Sequence, residues 1–159
     1  LRRTGEVVAS WMTRQNRETA IRDNVAWARN AVEAARAQGA PGLAELPLVW
    51  MGFSQGVAMA FRAAAFSVLP SVGLVALAAD VPPDVAEAHP PLPPILLGRG
   101  DGDAGYSPEQ MARARATLAD LGTPTEVFTF AGGHDWAPAW AERVGEWLAG
   151  RLKPPASAS

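Results

Sequence analysis

Apolar positions along the chain change their period several times, and each change marks an element. Ile21, Val25, Ala28, Val32 and Ala35 recur at spacings of four and three. That is one stripe of a helix running to about Gln38, with Asn16 or Thr13 as its cap. Gly39-Ala40-Pro41-Gly42 ends it. Residues 46–51 then read as a strand, and 57–66 as a second helix. Residues 72–79 are apolar on both faces, the pattern of a central parallel strand. Residues 95–98 and 126–130 read as two further strands. Met111, Ala114, Leu118 and Leu121 line one side of a helix over 108–121, and Trp140, Val144, Trp147 and Leu148 line one over 136–152. Outside these periods, residues 4–10 suit a short extended piece ending near Trp11. Residues 80–94, with six prolines and a histidine, suit an ordered loop or small flap. The Pro/Ala/Ser-rich tail 153–159 reads as disordered.

Strand and helix alternate, with four buried strands. The pattern predicts an α/β fold: a mostly parallel sheet of about four strands with helices on both faces. A chain of 159 residues suits one such domain, here 1–152. The net charge is −2, and the basic residues, 13 Arg and the single Lys153, are scattered. Nucleic acid and anionic membranes are therefore not expected partners. With no cysteine, disulfides, thiolate metal sites and a cysteine nucleophile are excluded. No apolar run reaches the length of a membrane span. No secretion signal is visible, which makes a cytoplasmic location the expectation.

The pentapeptide Gly52-Phe53-Ser54-Gln55-Gly56 lies between the 46–51 strand and the 57–66 helix. Strand, G-x-S-x-G and helix together are the setting of a nucleophile elbow. The turn is tight enough to strain the serine, and glycine at 52 and 56 removes side chains that would collide. A helix starting at the serine aims its amides and dipole at a developing oxyanion. Serine then needs a base, and the base needs an orienting acid. Of the two histidines, His89 sits among prolines and reads as exposed. His134, in Gly132-Gly133-His134-Asp135-Trp136, follows the last strand on a loop that its glycines make tight. The acid must come from a loop between serine and histidine. Gly100-Asp101-Gly102-Asp103 follows the 95–98 strand, and either carboxylate fits. Alternating Gly and Asp also suggests a Ca²⁺ loop, but the later glutamate is missing at the required spacing. Asp80, after the preceding strand, is a third strand-end carboxylate that either lines the site or caps a turn.

These motifs resemble those of the phospholipase/carboxylesterase family of α/β-hydrolases, which includes the acyl-protein thioesterases. Ser54 matches the family's G-F-S-Q-G motif, Asp103 the second Asp of its G-D-x-D motif, and His134 its G-x-H motif. Ser10-Trp11-Met12-Thr13-Arg14 and Asp80-Val81-Pro82-Pro83 also resemble bacterial esterases of this group. The resemblance extends to about Leu152 and implies Ser54, Asp103 and His134 as a catalytic triad. The family's proline and valine after the acid are replaced by Ala104-Gly105-Tyr106-Ser107. Its members begin with further strands and a His-Gly loop that gives a second oxyanion amide, and no such motif precedes Ser54. The chain thus reads as lacking the family's N-terminal part.

The expected function is a cofactor-free serine carboxylesterase acting on short-chain small-molecule esters, with lysophospholipids or acyl thioesters as further substrates. The Gln55 amide is the expected oxyanion donor. Phe53, Asp80, Val81 and Trp136 are expected at the substrate cleft, because open α/β sheets place ligands at strand carboxyl ends. The competing expectation is an inactive remnant lacking the second oxyanion donor. Without upstream strands, residues 46–51 become an unprotected sheet edge prone to self-association.

Overall fold

Alternate residues of four strands face opposite sides of one parallel sheet, and each side buries its own set of helices. The computed structural model describes residues 16–39 and 42–152. In chain order the elements are α1 (Arg17–Gln38), a 3₁₀ turn (Leu43–Glu45), β1 (Val49–Phe53), α2 (Gln55–Phe66), β2 (Gly73–Leu77), α3 (Pro83–Ala88), β3 (Ile95–Gly100), α4 (Pro108–Asp120), β4 (Thr125–Phe130) and α5 (Pro138–Arg151). The sheet order is β1-β2-β3-β4, all parallel. Each crossover therefore steps the same way along the sheet, and crossovers of one hand then lie on one face. On that face Leu74, Ala76, Ile95 and Leu97 meet Val57 and Phe61 of α2, Val85 of α3, and Ala114 and Leu118 of α4. On the other face Val75, Leu77 and Leu96 meet Trp140, Val144 and Trp147 of α5. Among the described residues no helix is long and apolar enough to cross a membrane.

Several expectations need correction. α1 starts after Asn16, whose backbone is left-handed and whose side chain makes no cap bond. Of the α1 stripe only Val25 is buried, while Ala35 is exposed, because α1 packs beside α2 rather than under the sheet. β1 begins at Val49, and Leu46 is exposed. The segment expected to be a loop or flap contains α3, with Pro83 in its first turn, where a missing N–H costs no helical bond. An ion pair pins α3. Arg62 of α2 is fully buried and donates from Nε and Nη2 to the Asp84 carboxylate at 2.8 and 2.7 Å. These bonds hold the Asp84 carboxyl below its ordinary range. The last helix starts at Pro138, so Trp136 precedes it. Thr13, the 4–10 piece, the Ser10–Arg14 stretch and the 153–159 tail lie outside the described residues.

Among the described residues β1 pairs only with β2, and so forms one edge of the sheet. Met51 is exposed along it, as is Trp27 of α1.

Candidate active site

Three loops leave the carboxyl ends of β1, β3 and β4, and they carry Ser54, the Asp101–Asp103 pair and His134. Ser54 is the single residue between β1 and α2, with φ 51° and ψ −124°. Positive φ is uncommon for serine and marks a conformation that its surroundings must hold. Two backbone bonds do so: its N–H donates to the Leu77 carbonyl at 2.8 Å, and its carbonyl accepts from Val57 N–H at 3.0 Å. Glycine at 52 is required by close approach. A Cβ there would lie 2.6 Å from both the Gly56 carbonyl oxygen and Val57 Cα. The same expectation fails at Gly56, where a Cβ would meet nothing within 4 Å.

Asp103 is buried at the turn after β3. Its Oδ1 accepts from the backbone N–H groups of Gly105 at 2.7 Å and Tyr106 at 3.0 Å. Its Oδ2 lies 2.8 Å from His134 Nδ1. Burial works to raise the carboxyl pKa, but the hydrogen bonds from His134, Gly105 and Tyr106 outweigh it, and the pKa falls below its ordinary value. An ionised carboxylate only accepts, so His134 donates from Nδ1 and presents Nε2 as an acceptor. That Nε2 lies 2.8 Å from Ser54 Oγ. The Phe53 ring packs against the imidazole, with centroids 4.9 Å apart.

Asp101 is turned elsewhere. It ties the acid loop to the histidine loop, its Oδ1 accepting from Gly132 N–H at 3.1 Å and its own N–H donating to Phe130 O at 2.8 Å. Gly102 N–H adds a bond to Gly132 O at 2.9 Å. The loops touch so closely that a Cβ on Gly100 would lie 2.3 Å from the Gly133 carbonyl oxygen. Among the described residues, no group of three or more His, Asp or Glu is disposed to hold a metal ion.

Gln55 is the first residue of α2, where amides lack intrahelical acceptors. Trp136 is 41% exposed and packs edge-on against Trp140, with centroids 6.1 Å apart. Asp80 is exposed just beyond β2. The part of its carboxyl shielded from water still raises its pKa, and Arg113, Gln110 and Tyr106 pull the other way. Val81 packs against the α2–α4 side of the core. His89 is exposed, its Nδ1 3.2 Å from the Glu87 carbonyl.

Sequence reading missed Arg99. It lies in β3, is 5% exposed, and donates to three backbone carbonyls of the acid loop. The one signal for it was an arginine in a strand otherwise apolar or glycine.

No family model and no curated protein matches the chain. Solved structures do. Zea mays acyl-protein thioesterase 2 is similar with a TM-score of 0.68 at 17% identity, over 91% of this chain and 73% of that one. Arabidopsis thaliana SOBER1 is similar with a TM-score of 0.74 at 22% identity, over 94% and 77%. The Bacillus cereus carboxylesterase is similar with a TM-score of 0.68 at 15% identity, over 92% and 73%. The chain shares the fold of these structures, four parallel strands wrapped by helices.

Proposed function

We propose that this protein is a serine hydrolase that cleaves short-chain carboxylic esters through an acyl-enzyme, with lysophospholipids and acyl thioesters as related substrates. One observation carries the reading: Ser54 Oγ, His134 and Asp103 Oδ2 form a chain of two 2.8 Å contacts that starts at a serine with positive φ. In the proposed reaction Ser54 Oγ attacks the ester carbonyl as His134 Nε2 takes its proton. Asp103 keeps the proton on Nδ1 and stabilises the imidazolium. The Gln55 N–H, with the α2 dipole behind it, faces the oxyanion. His134 returns the proton to the leaving alcohol or thiol, and water then releases the acyl group by the same route. Phe53, Asp80, Val81 and Trp136 are proposed to border the substrate, Phe53 through its contact with the imidazole. The esterase and acyl-protein thioesterase structures of the same fold support the reaction class.

A fluorophosphonate probe followed by peptide mapping tests this without knowing the substrate. Labelling is expected at Ser54 in the wild type and lost in Ser54→Ala. Equal labelling of the folded Ser54→Ala protein would remove Ser54 from the mechanism. A folded wild type that takes no label would favour the inactive-remnant reading.

A further inference from the structure

Arg99 is out of place by composition. It occupies β3 directly after Ile95-Leu96-Leu97-Gly98, with 5% of its surface exposed. Burying a guanidinium is costly, and the usual compensation is a carboxylate. Arg99 instead spends its hydrogen bonds on the acid loop. Its Nε donates to the Tyr106 carbonyl at 2.7 Å, and its Nη2 donates to the carbonyls of Asp101 at 3.1 Å and Asp103 at 3.4 Å. The loop that carries Asp103 is therefore wound around one planar cation.

We infer that Arg99 is a positioning residue, which fixes the backbone of residues 101–106 so that the Asp103 carboxylate faces His134. The inference rests on the triad reading above. Two sets of constraints meet at Asp103. Its carbonyl points inward to the guanidinium, and its Oδ1 is held by the N–H groups of Gly105 and Tyr106. Tyr106 is gripped twice, its N–H by Asp103 and its carbonyl by Arg99. With the backbone and one carboxylate oxygen fixed, Oδ2 is left at 2.8 Å from His134 Nδ1. Without the cation, the Tyr106 and Asp103 carbonyl oxygens face a buried space with no donor, with the Asp101 carbonyl at its edge, and they relax by turning apart. A planar fork suits this task because it serves several acceptors in one plane. A lysine ammonium at the end of a flexible stem reaches fewer of them.

The test is a double-mutant cycle in the purified protein, with kcat and KM measured on an activated short-chain ester. The variants are Arg99→Met, Arg99→Lys and Asp103→Asn, singly and as Arg99/Asp103 pairs. Circular dichroism and thermal melts establish folding. Arg99→Met is expected to lower kcat about a hundredfold, the effect of a misplacement near 1 Å, with KM nearly unchanged. Arg99→Lys should recover part of that loss. In the Asp103→Asn background either Arg99 substitution should cost under about twofold, because residues acting through one group are not additive. If the Arg99 loss persists in full in that background, or if folded Arg99→Met keeps wild-type kcat, the inference is overturned. Should Arg99→Met fail to fold, the Arg99→Lys cycle is read by the same criteria. An Asp103→Asn protein with wild-type kcat would instead overturn the triad reading, a result distinct from either Arg99 outcome.

Discussion

The two glycines of the G-x-S-x-G segment have the same standing in sequence and different surroundings in space, so they offer a paired experiment. In Gly52→Ala the new Cβ lies 2.6 Å from the Gly56 carbonyl oxygen and from Val57 Cα. Ordinary contact begins near 3.4 Å, so about 0.8 Å of movement is needed. Both opposing atoms are backbone in the first turn of α2, and no side chain can swing away. Overpacking of this kind costs about 1–3 kcal/mol. In a chain of this size, each kcal/mol lowers Tm by about 2–4 °C. The displaced turn includes Val57, whose N–H holds the Ser54 carbonyl at 3.0 Å, so the serine moves as well. Its Oγ now sits 2.8 Å from His134 Nε2. A shift approaching 1 Å is expected to slow fluorophosphonate labelling about a hundredfold. In Gly56→Ala the Cβ enters open space on a helical residue. There alanine is favoured over glycine by up to about 1 kcal/mol. That variant should melt at or above the wild-type temperature and label at the wild-type rate. Thermal melts and labelling rates on the same samples decide the matter. Equal losses at both positions, or no loss at Gly52, would refute the reasoning.

Asp103→Asn is expected to reduce kcat by up to about 10⁴, the cost of presenting the wrong imidazole tautomer. Asp101→Asn, which keeps an acceptor oxygen toward Gly132 N–H, should cost far less; equal losses would mean that Asp103 is not the orienting acid. Asp84→Ala removes the carboxylate that the buried Arg62 Nε and Nη2 hold, and about 1–3 kcal/mol of destabilisation is expected in denaturant titrations, moderated because Asp84 is partly exposed. Since Arg62 lowers the Asp84 pKa on folding, this contribution is whole above the unfolded carboxylate pKa near 3.9 and is lost as pH falls through the lower folded value; an Asp84→Ala penalty that stays constant through that fall would argue against the pair. The 159-residue chain is expected to self-associate through β1, whose outer side has no ladder partner among the described residues; a monodisperse monomer at high concentration in sedimentation would exclude it.

The alternation of strands and helices was legible because burial on a parallel sheet imposes uninterrupted apolar runs, as at Leu74–Leu77 of β2 and Ile95–Leu97 of β3. Ser54 was legible because the elbow needs a small residue at 52 and a helix at once. What escaped depends on contacts that neither composition nor period carries. α3 was hidden by prolines, which signal loops by composition yet fit a first helical turn. Arg62 and Arg99 carry no periodic signal: Arg62 meets Asp84 of another helix, and Arg99 meets backbone carbonyls of the turn that follows it, which side-chain pattern does not record. Asp101 and Asp103 could not be separated from the residues alone. Both follow β3, and it is the turn that points one at Gly132 N–H and the other at His134 Nδ1. Gly56 was overread, since a motif shows a glycine without showing what would occupy its space.

Sheet register explains how loops from both edges reach one point. Phe53 at the end of β1 is level with Leu77 of β2, Gly98 of β3 and Phe128 of β4. β3 and β4 each run two residues further, to Gly100 and Phe130. At about 3.3 Å per residue, their loops start some 6–7 Å above the serine turn. β1 and β4 are three strand spacings apart, about 14 Å. The acid and histidine loops close that gap by leaning back over the shorter strands, fastened to each other by the Asp101–Gly132 and Gly102–Gly132 bonds. The strained serine is held from below. The positive φ at Ser54 costs about 1–3 kcal/mol, and it persists because Leu77 O fixes the serine N–H while the next turns of α2 bury Val57, Met59, Ala60 and Phe61. Strand length thus sets the height of His134, sheet burial sets the angle of Ser54, and the 2.8 Å contact between them is where the two meet.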